Sequence, residues 1–440
     1  MQRTSTTLTR LALGALAVLF AWNVYRAVTQ SVTPGEAWNY DQYIGPGWHE
    51  SLARFGNNNH FLNTLLVKTS TARIHLTEFS MRLPSLLFGV LYLWAIYRLA
   101  RRWFGRGAMF LAVVGLLALN PLVVDAMSEA RGYGMGLAAW MWALSILAEG
   151  STPAFAGVLL GMSVAASLAF VTPVVALLLA AAAYRRGGLG YVPQVAGLTA
   201  FVLLAVPLNH AEMTVVTQGA TSLRQTLNSL AAGSFSTGNA AVATAARIGA
   251  GLLAALGLGV GLLGRRRAAA IVYLCGGSFL LSLVLMLAAH RWAHAALPEG
   301  GAIFLVPMIT LFVAGLVTQW GREWAQIVFV VFGALCVAHY ADHLQLPYLA
   351  AGRLSGGKQL AEALRTDAGN RSVRIGVSED AEGIVRYYKW RYRQANWEAI
   401  ERPSPAARFD YYVLTAADVG LVEQEGLHVV YRDAGLVLAR

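Results

Sequence analysis

Three polar stretches interrupt a chain that is otherwise largely apolar. The first is Thr33-Pro34-Gly35-Glu36, followed by Trp38, Tyr40 and Asp41. A carboxylate there, Glu36 or Asp41, is suited to taking a proton from an attacking hydroxyl or holding a divalent metal ion against a phosphate leaving group. The competing reading is a solvated turn with a helix N-cap. The second stretch is Asn57-Asn58-Asn59-His60, where His60 is either a surface residue or one that ligates a metal, donates a proton or touches a phosphate. The third runs from Asn120-Pro121 through Asp125, Ser128, Glu129, Arg131 and Gly132 to Tyr133. Ionisable groups at a membrane boundary are costly unless solvated, paired or used, and the Arg131 guanidinium suits a phosphate because it bonds bidentately. The plainer alternative is a Glu129–Arg131 surface pair beside an interfacial tyrosine.

The elements that must position these residues are membrane spans. The chain has 440 residues, 57% of them hydrophobic and only 13% charged, with a mean hydropathy of +0.52. That is too apolar for a soluble globular protein. A spanning helix needs roughly 20 mostly apolar residues. Apolar stretches at 11–29, 83–101, 107–125, 133–149, 153–169, 171–184, 191–208, 242–263, 268–289, 302–319 and 324–340 approach or meet that test. The expected fold class is an α-helical polytopic membrane protein with about eleven transmembrane helices, formed by residues 1–340, and a small soluble α/β domain over 341–440.

The net charge of +11 does not mark a nucleic-acid binder, because the basic residues sit in short loops between spans. Arg3, Arg10, Arg98, Arg101, Arg102, Arg106, Arg185, Arg186, Arg265 to Arg267 and Arg322 all fall on one side if the N-terminus is cytoplasmic, as the positive-inside rule requires. This places the loop 30–82, the loop 209–241 and everything after Tyr340 outside the plasma (inner) membrane. The first span is read as retained, since it lacks a small-x-small cleavage site. Cys275 and Cys336 lie within apolar spans and read as packing residues.

Within the long first outer loop, Phe61, Leu62, Leu65, Leu66 and Ile74 interleave with Asn63, Thr64, Lys68 and Arg73, predicting a helix lying in the interface. After Tyr340, strands are expected at 372–378 and 409–415, helices at 356–366 and 382–392, and a terminal hairpin from 429–431 and 436–439.

These residues resemble the polytopic GT-C glycosyltransferases that use polyprenyl-phosphate sugars, of the protein O-mannosyltransferase and aminoarabinose transferase kind. Thr33 to Glu36, His60 leading to Glu78-Phe79-Ser80-Met81-Arg82-Leu83-Pro84-Ser85, and Ser128 to Tyr133 carry the likeness, with a weaker match at Leu297-Pro298-Glu299. The resemblance implies an inverting transfer from a polyprenyl-phosphate sugar to a hydroxyl of a glycan, lipid or protein on the outer side. It makes Glu36 the base, with Asp41 as the nearby second acid. It sets His60, Asp125, Glu129, Arg131 and Tyr133 around the lipid phosphate, with or without a divalent metal ion. Two departures stand against it. Many relatives carry an Asp-Glu pair where this chain has Gly35-Glu36, and often an Arg where it has Gly300 and Gly301, leaving Arg291 or His294 to replace that charge. A transporter or flippase of lipid-linked saccharides and a non-catalytic scaffold are the alternatives.

Overall fold

The computed structural model describes residues 2–53, 59–185, 188–209, 219–236, 239–263, 269–403, 408–433 and 435–440. Each apolar stretch read from the sequence carries helix. Among the described residues, six helices are long and apolar enough to cross a membrane: Thr6–Thr29, Glu78–Phe104, Ala240–Gly259, Ala270–Ala293, Gly300–Trp320 and Glu323–Asp342. Shorter apolar helices, Ala108–Ala118, Pro153–Ala166, Leu168–Tyr184 and Val192–Ala205, pack among them. The chain is an integral membrane protein, its inner faces sealed by large side chains such as Trp140, Phe110, Phe170 and Phe279.

One expected span is broken. Residues 107–125 form Ala108–Ala118 and a separate short helix Pro121–Ala126, because the Asn120 side chain accepts from Leu122 N–H and Pro121 opens a new first turn. The break delivers Asp125 and the turn after it into the protein interior.

The first-loop helix forms over Phe61–Ile74, but it is not simply laid on a surface, since Asn63, Thr64 and Lys68 are buried with Phe61, Leu62 and Val67. It is tied to helix Glu78–Phe104 by a particular bond. Pro84 has no N–H to offer the Ser80 carbonyl one turn earlier, and the Ser70 hydroxyl donates to that carbonyl instead, at 2.6 Å. Lys68 is spent on local structure, donating to the carbonyls of Ile44 and Pro46 and to the Ser51 hydroxyl.

The C-terminal unit is a five-stranded sheet with β1 (Val373–Val377), β2 (Trp397–Glu401), β3 (Tyr411–Thr415), β4 (Val429–Arg432) and β5 (Leu436–Ala439), in the order β2-β1-β3-β5-β4. The strands at β1 and β3, the helices Gly357–Ala368 and Glu379–Tyr392, and the antiparallel β4–β5 hairpin were all expected. Edge strand β2, which pairs parallel with β1, was not. The unit shares a core with the first loop: Val32, Ala37, Tyr40 and Met81 pack in one cluster with Leu360, Ile384, Tyr387 and Tyr388. Glu78 fastens the seam, accepting from Tyr388 Oη at 3.2 Å and Arg391 Nε at 2.9 Å, with Lys358 Nζ 3.7 Å away.

Candidate active site

Thr33-Pro34-Gly35-Glu36 is a helix start. Thr33 caps helix Pro34–Asn39: its hydroxyl accepts from Glu36 N–H, and the Glu36 carboxylate accepts from Thr33 N–H at 2.9 Å, with Pro34 in the first turn. The helix N-cap read from this stretch forms, but the turn is not solvated, since Thr33 and Glu36 are wholly buried. The carboxylate also reaches across the fold. Arg82 donates to it twice, Nη2 to Oε2 at 2.6 Å and Nε to Oε1 at 2.9 Å, and Ala130 N–H donates to Oε1 at 2.8 Å. Both side chains are wholly buried. Burial opposes the Glu36 charge, but Arg82 and the two backbone donors outweigh it and hold the carboxyl below its usual range.

A second buried pair lies beside the first. Arg26 Nη2 donates to Asp125 Oδ1 at 2.6 Å, and Leu349 N–H donates to Oδ2 at 2.6 Å. Burial raises the Asp125 carboxyl, with Arg26 opposing. The Tyr348 ring lies between the two cations, its centroid 4.3 Å from the Arg26 guanidinium carbon and 4.4 Å from that of Arg82, and its hydroxyl donates to Ser128 Oγ at 3.1 Å. Arg82 lies in the Glu78–Ser85 stretch that carries the family likeness, but no role attaches to it there. Arg26 sits in the first apolar span and Tyr348 in the connector to the sheet, so only three-dimensional proximity reveals those two.

These pairs brace the turn from Ser128 to Gly132. Ser85 Oγ donates to the Glu129 carbonyl at 2.9 Å, and Asn63 Nδ2 donates to that of Ala130 at 3.0 Å. The Glu129 carboxylate accepts from Thr33 Oγ1 at 2.8 Å and lies 4.0 Å from Arg131 Nη1. Burial, then the charges of Glu36 and Asp125, raise it to about 7 against the pull of Arg131. Gly132 turns the chain at φ +76°, where a Cβ would stand 2.3 Å from the Ala166 carbonyl oxygen.

Beyond the turn lies a cavity of about 490 Å³. Arg131 and Tyr133 line one side of it, and Leu297, Pro298, Glu299 and Gly301 line another. Arg131 is its cationic lining residue; the side chain is 31% exposed and its guanidinium carbon sits 5.4 Å from the Tyr133 ring centroid. Glu299 is exposed and accepts from Gln225 Nε2 at 2.9 Å. Gly300 and Gly301 open the 3-10 turn Gly300–Phe304 in the wall, where a Cβ at Gly301 would come within 3.0 Å of Tyr133 Cε1. Arg291 and His294 do not line the cavity.

His60 is buried edge-on to Tyr133, ring centroids 4.7 Å apart. Burial and the Arg131 charge push it down to about 3, so it is neutral at ordinary pH. Asn57 and Asn58 lie outside the described residues. Asp41 falls in the turn after Glu36, bonded to Gln42 Nε2 at 3.1 Å and away from the cavity lining. Among the described residues, no three His, Cys, Asp or Glu side chains converge to hold a metal ion.

Two solved structures share this architecture of a helical membrane body with a docked sheet: ArnT from Cupriavidus metallidurans bound to undecaprenyl phosphate, at TM-score 0.57 and 13% identity, and the same protein in the apo state, at 0.58 and 12%. In both, the match covers 99% of this chain and 98% of the other. The family model described as dolichyl-phosphate-mannose-protein mannosyltransferase matches residues 62–189, less than a third of the chain. No curated protein matches by sequence.

Proposed function

We propose that this protein transfers a sugar from a polyprenyl phosphate to an acceptor hydroxyl at the outer face of the plasma (inner) membrane, with inversion. The observation that carries the reading is the cavity with Arg131 in its wall, held by a turn that the buried Glu36–Arg82 and Arg26–Asp125 pairs brace. The ArnT fold, one of whose structures holds undecaprenyl phosphate, supports a lipid-phosphate donor. The N-terminus is then cytoplasmic and the sheet unit outside.

Arg131 takes the donor phosphate and neutralises its charge as the bond to the sugar breaks. The base must come from a carboxylate able to give up its present partners. Glu36 is a poor one, because releasing it leaves Arg82 charged and unpaired in a dry interior. We assign Glu36 the task of holding Ala130, and through it Arg131, in place. Proton acceptance falls to Glu129, which stands just behind the cavity lining, 4.0 Å from Arg131, is released from that pair when Arg131 turns to the phosphate and, at about 7, is poised near neutrality. Tyr133 and His60 shape the cavity wall behind the guanidinium.

The test is sugar transfer from radiolabelled polyprenyl-phosphate sugars to membrane extracts by purified wild type and Glu129→Gln. Transfer by the wild type and loss in a folded Glu129→Gln that still binds donor supports the assignment. Equal transfer by both moves the base to Glu299, the carboxylate in the lining. No transfer by wild type with any donor leaves the scaffold reading stronger.

A further inference from the structure

Two cavities remote from Arg131 meet at Trp94. Trp94 lies toward the other end of helix Glu78–Phe104 from the buried pair, twelve residues from Arg82, or roughly 18 Å at about 1.5 Å per residue. An apolar groove of about 180 Å³ runs between the first helix, at Leu13, Leu16 and Phe20, and the second, at Val90, Leu93 and Trp94. Trp94 also lines a cavity of about 580 Å³ whose polar lining includes Arg98, Arg101, Arg102, Arg106 and Glu149.

The charges there do not cancel. Arg98 takes both oxygens of the lone acid, Nε to Glu149 Oε1 at 3.2 Å and Nη2 to Oε2 at 2.5 Å, while its guanidinium carbon lies 5.4 Å from the Trp142 ring centroid. Arg101 donates to Tyr97 Oη at 3.2 Å. Among the described residues, no carboxylate lies within ion-pair distance of Arg101, Arg102 or Arg106, although the Arg102 charge is felt by Glu149. Loop arginines that only set orientation need nothing but water. These instead line a cavity that shares Trp94 with an apolar groove whose Leu13, Val90 and Trp94 are exposed on the outside of the helices. One end wants an anion and the other a hydrocarbon chain.

We infer that this is a binding site for an anionic glycerophospholipid, with its phosphate at Arg101, Arg102 and Arg106 and an acyl chain in the groove between Leu16 and Trp94. Bidentate guanidinium–phosphate bonding and the excess of positive charge favour an anionic over a zwitterionic head. The bound lipid clips the first helix, which carries Arg26, to the second, which carries Arg82.

The experiment is the melting midpoint of the full chain in detergent with added phosphatidylglycerol, phosphatidylcholine or inorganic phosphate. Wild type should show an upward shift that grows with phosphatidylglycerol and is absent with the other two. Arg102→Gln/Arg106→Gln, and Ala17→Trp, which fills the groove, should lose the shift, while Arg131→Ala should keep it. Equal stabilisation by phosphatidylcholine, or a full shift in the double arginine variant, overturns the site. A shift with inorganic phosphate alone overturns the lipid occupant. If the variants do not fold, a photoactivatable phosphatidylglycerol on wild type should label peptides from 90–106, and labelling elsewhere counts against the site.

Discussion

The bare Cα of Gly35 faces the Arg131 side chain so closely that a Cβ there would stand 2.9 Å from Nε. Many relatives of the resembled kind carry an acid at this position. Here the bare glycine lets the Arg131 guanidinium pack against the chain at Gly35, with Glu129 at 4.0 Å as its ion-pair partner. Gly35→Ala should therefore move the far end of a flexible side chain at little cost in stability. Binding of undecaprenyl phosphate, measured on the purified protein, should weaken several-fold while the melting midpoint stays near wild type. Unchanged binding would mean that Arg131 does not hold the donor.

Breaking the buried pair should act on folding first. Glu36→Gln strips a bidentate partner from Arg82 and leaves the guanidinium uncompensated, a loss of about 3–5 kcal/mol by the cost of unpairing a buried ion. Denaturant or thermal unfolding reads it. Replacing both partners with Glu36→Gln/Arg82→Met should recover part of the loss, because no lone charge remains. A Glu36→Gln protein of wild-type stability and no activity would restore Glu36 as the base.

Glu129 predicts a pH dependence of known sign. As base it works ionised, so transfer should rise with pH through about 7 and flatten above it. Stability should run the other way. The folded protein holds this proton more tightly than the unfolded chain, whose carboxyl titrates near 4.5, so the contribution is full below 4.5 and is lost as pH rises through about 7. Glu129→Gln should remove that slope from the stability profile and cut transfer by about 10²–10⁴-fold.

Much of the architecture was legible in the sequence because bilayer thickness fixes helix length and composition together. The 268–289 stretch and the helix Ala270–Ala293 both follow from that rule. The break at Asn120 was not read, although the Asn-Pro pair signalled it, because the surrounding residues are apolar enough to hide a capped restart. At the site, Asp125, Glu129, Arg131, Tyr133 and His60 do come together. The roles of Glu36 and Arg82 were obscured because an ion pair 46 residues apart in sequence leaves no local pattern. Asp41 illustrates the converse: proximity in sequence to Glu36 did not bring it to the cavity.

The seam at Glu78 makes the sheet unit part of the site's support. Its carboxylate joins Tyr388 and Arg391 of one helix to the start of another, a few residues before Arg82. Glu78→Ala leaves Arg391 and the Tyr388 hydroxyl without that partner in a largely dry contact, costing about 1–3 kcal/mol by the penalty for orphaned polar groups. The loss should be local. Hydrogen exchange should quicken at the sheet's docking helix, Glu379–Tyr392, and at 31–40, whereas Ala270–Ala293 should exchange as in wild type. Donor binding should weaken with it, because Tyr388 Oη is hydrogen-bonded to Ser31 Oγ and Arg82 donates to the Ser31 carbonyl, so a loosened docking helix loosens the buried pair. Uniform quickening across the membrane helices would show instead that the sheet unit supports the whole fold and not this site.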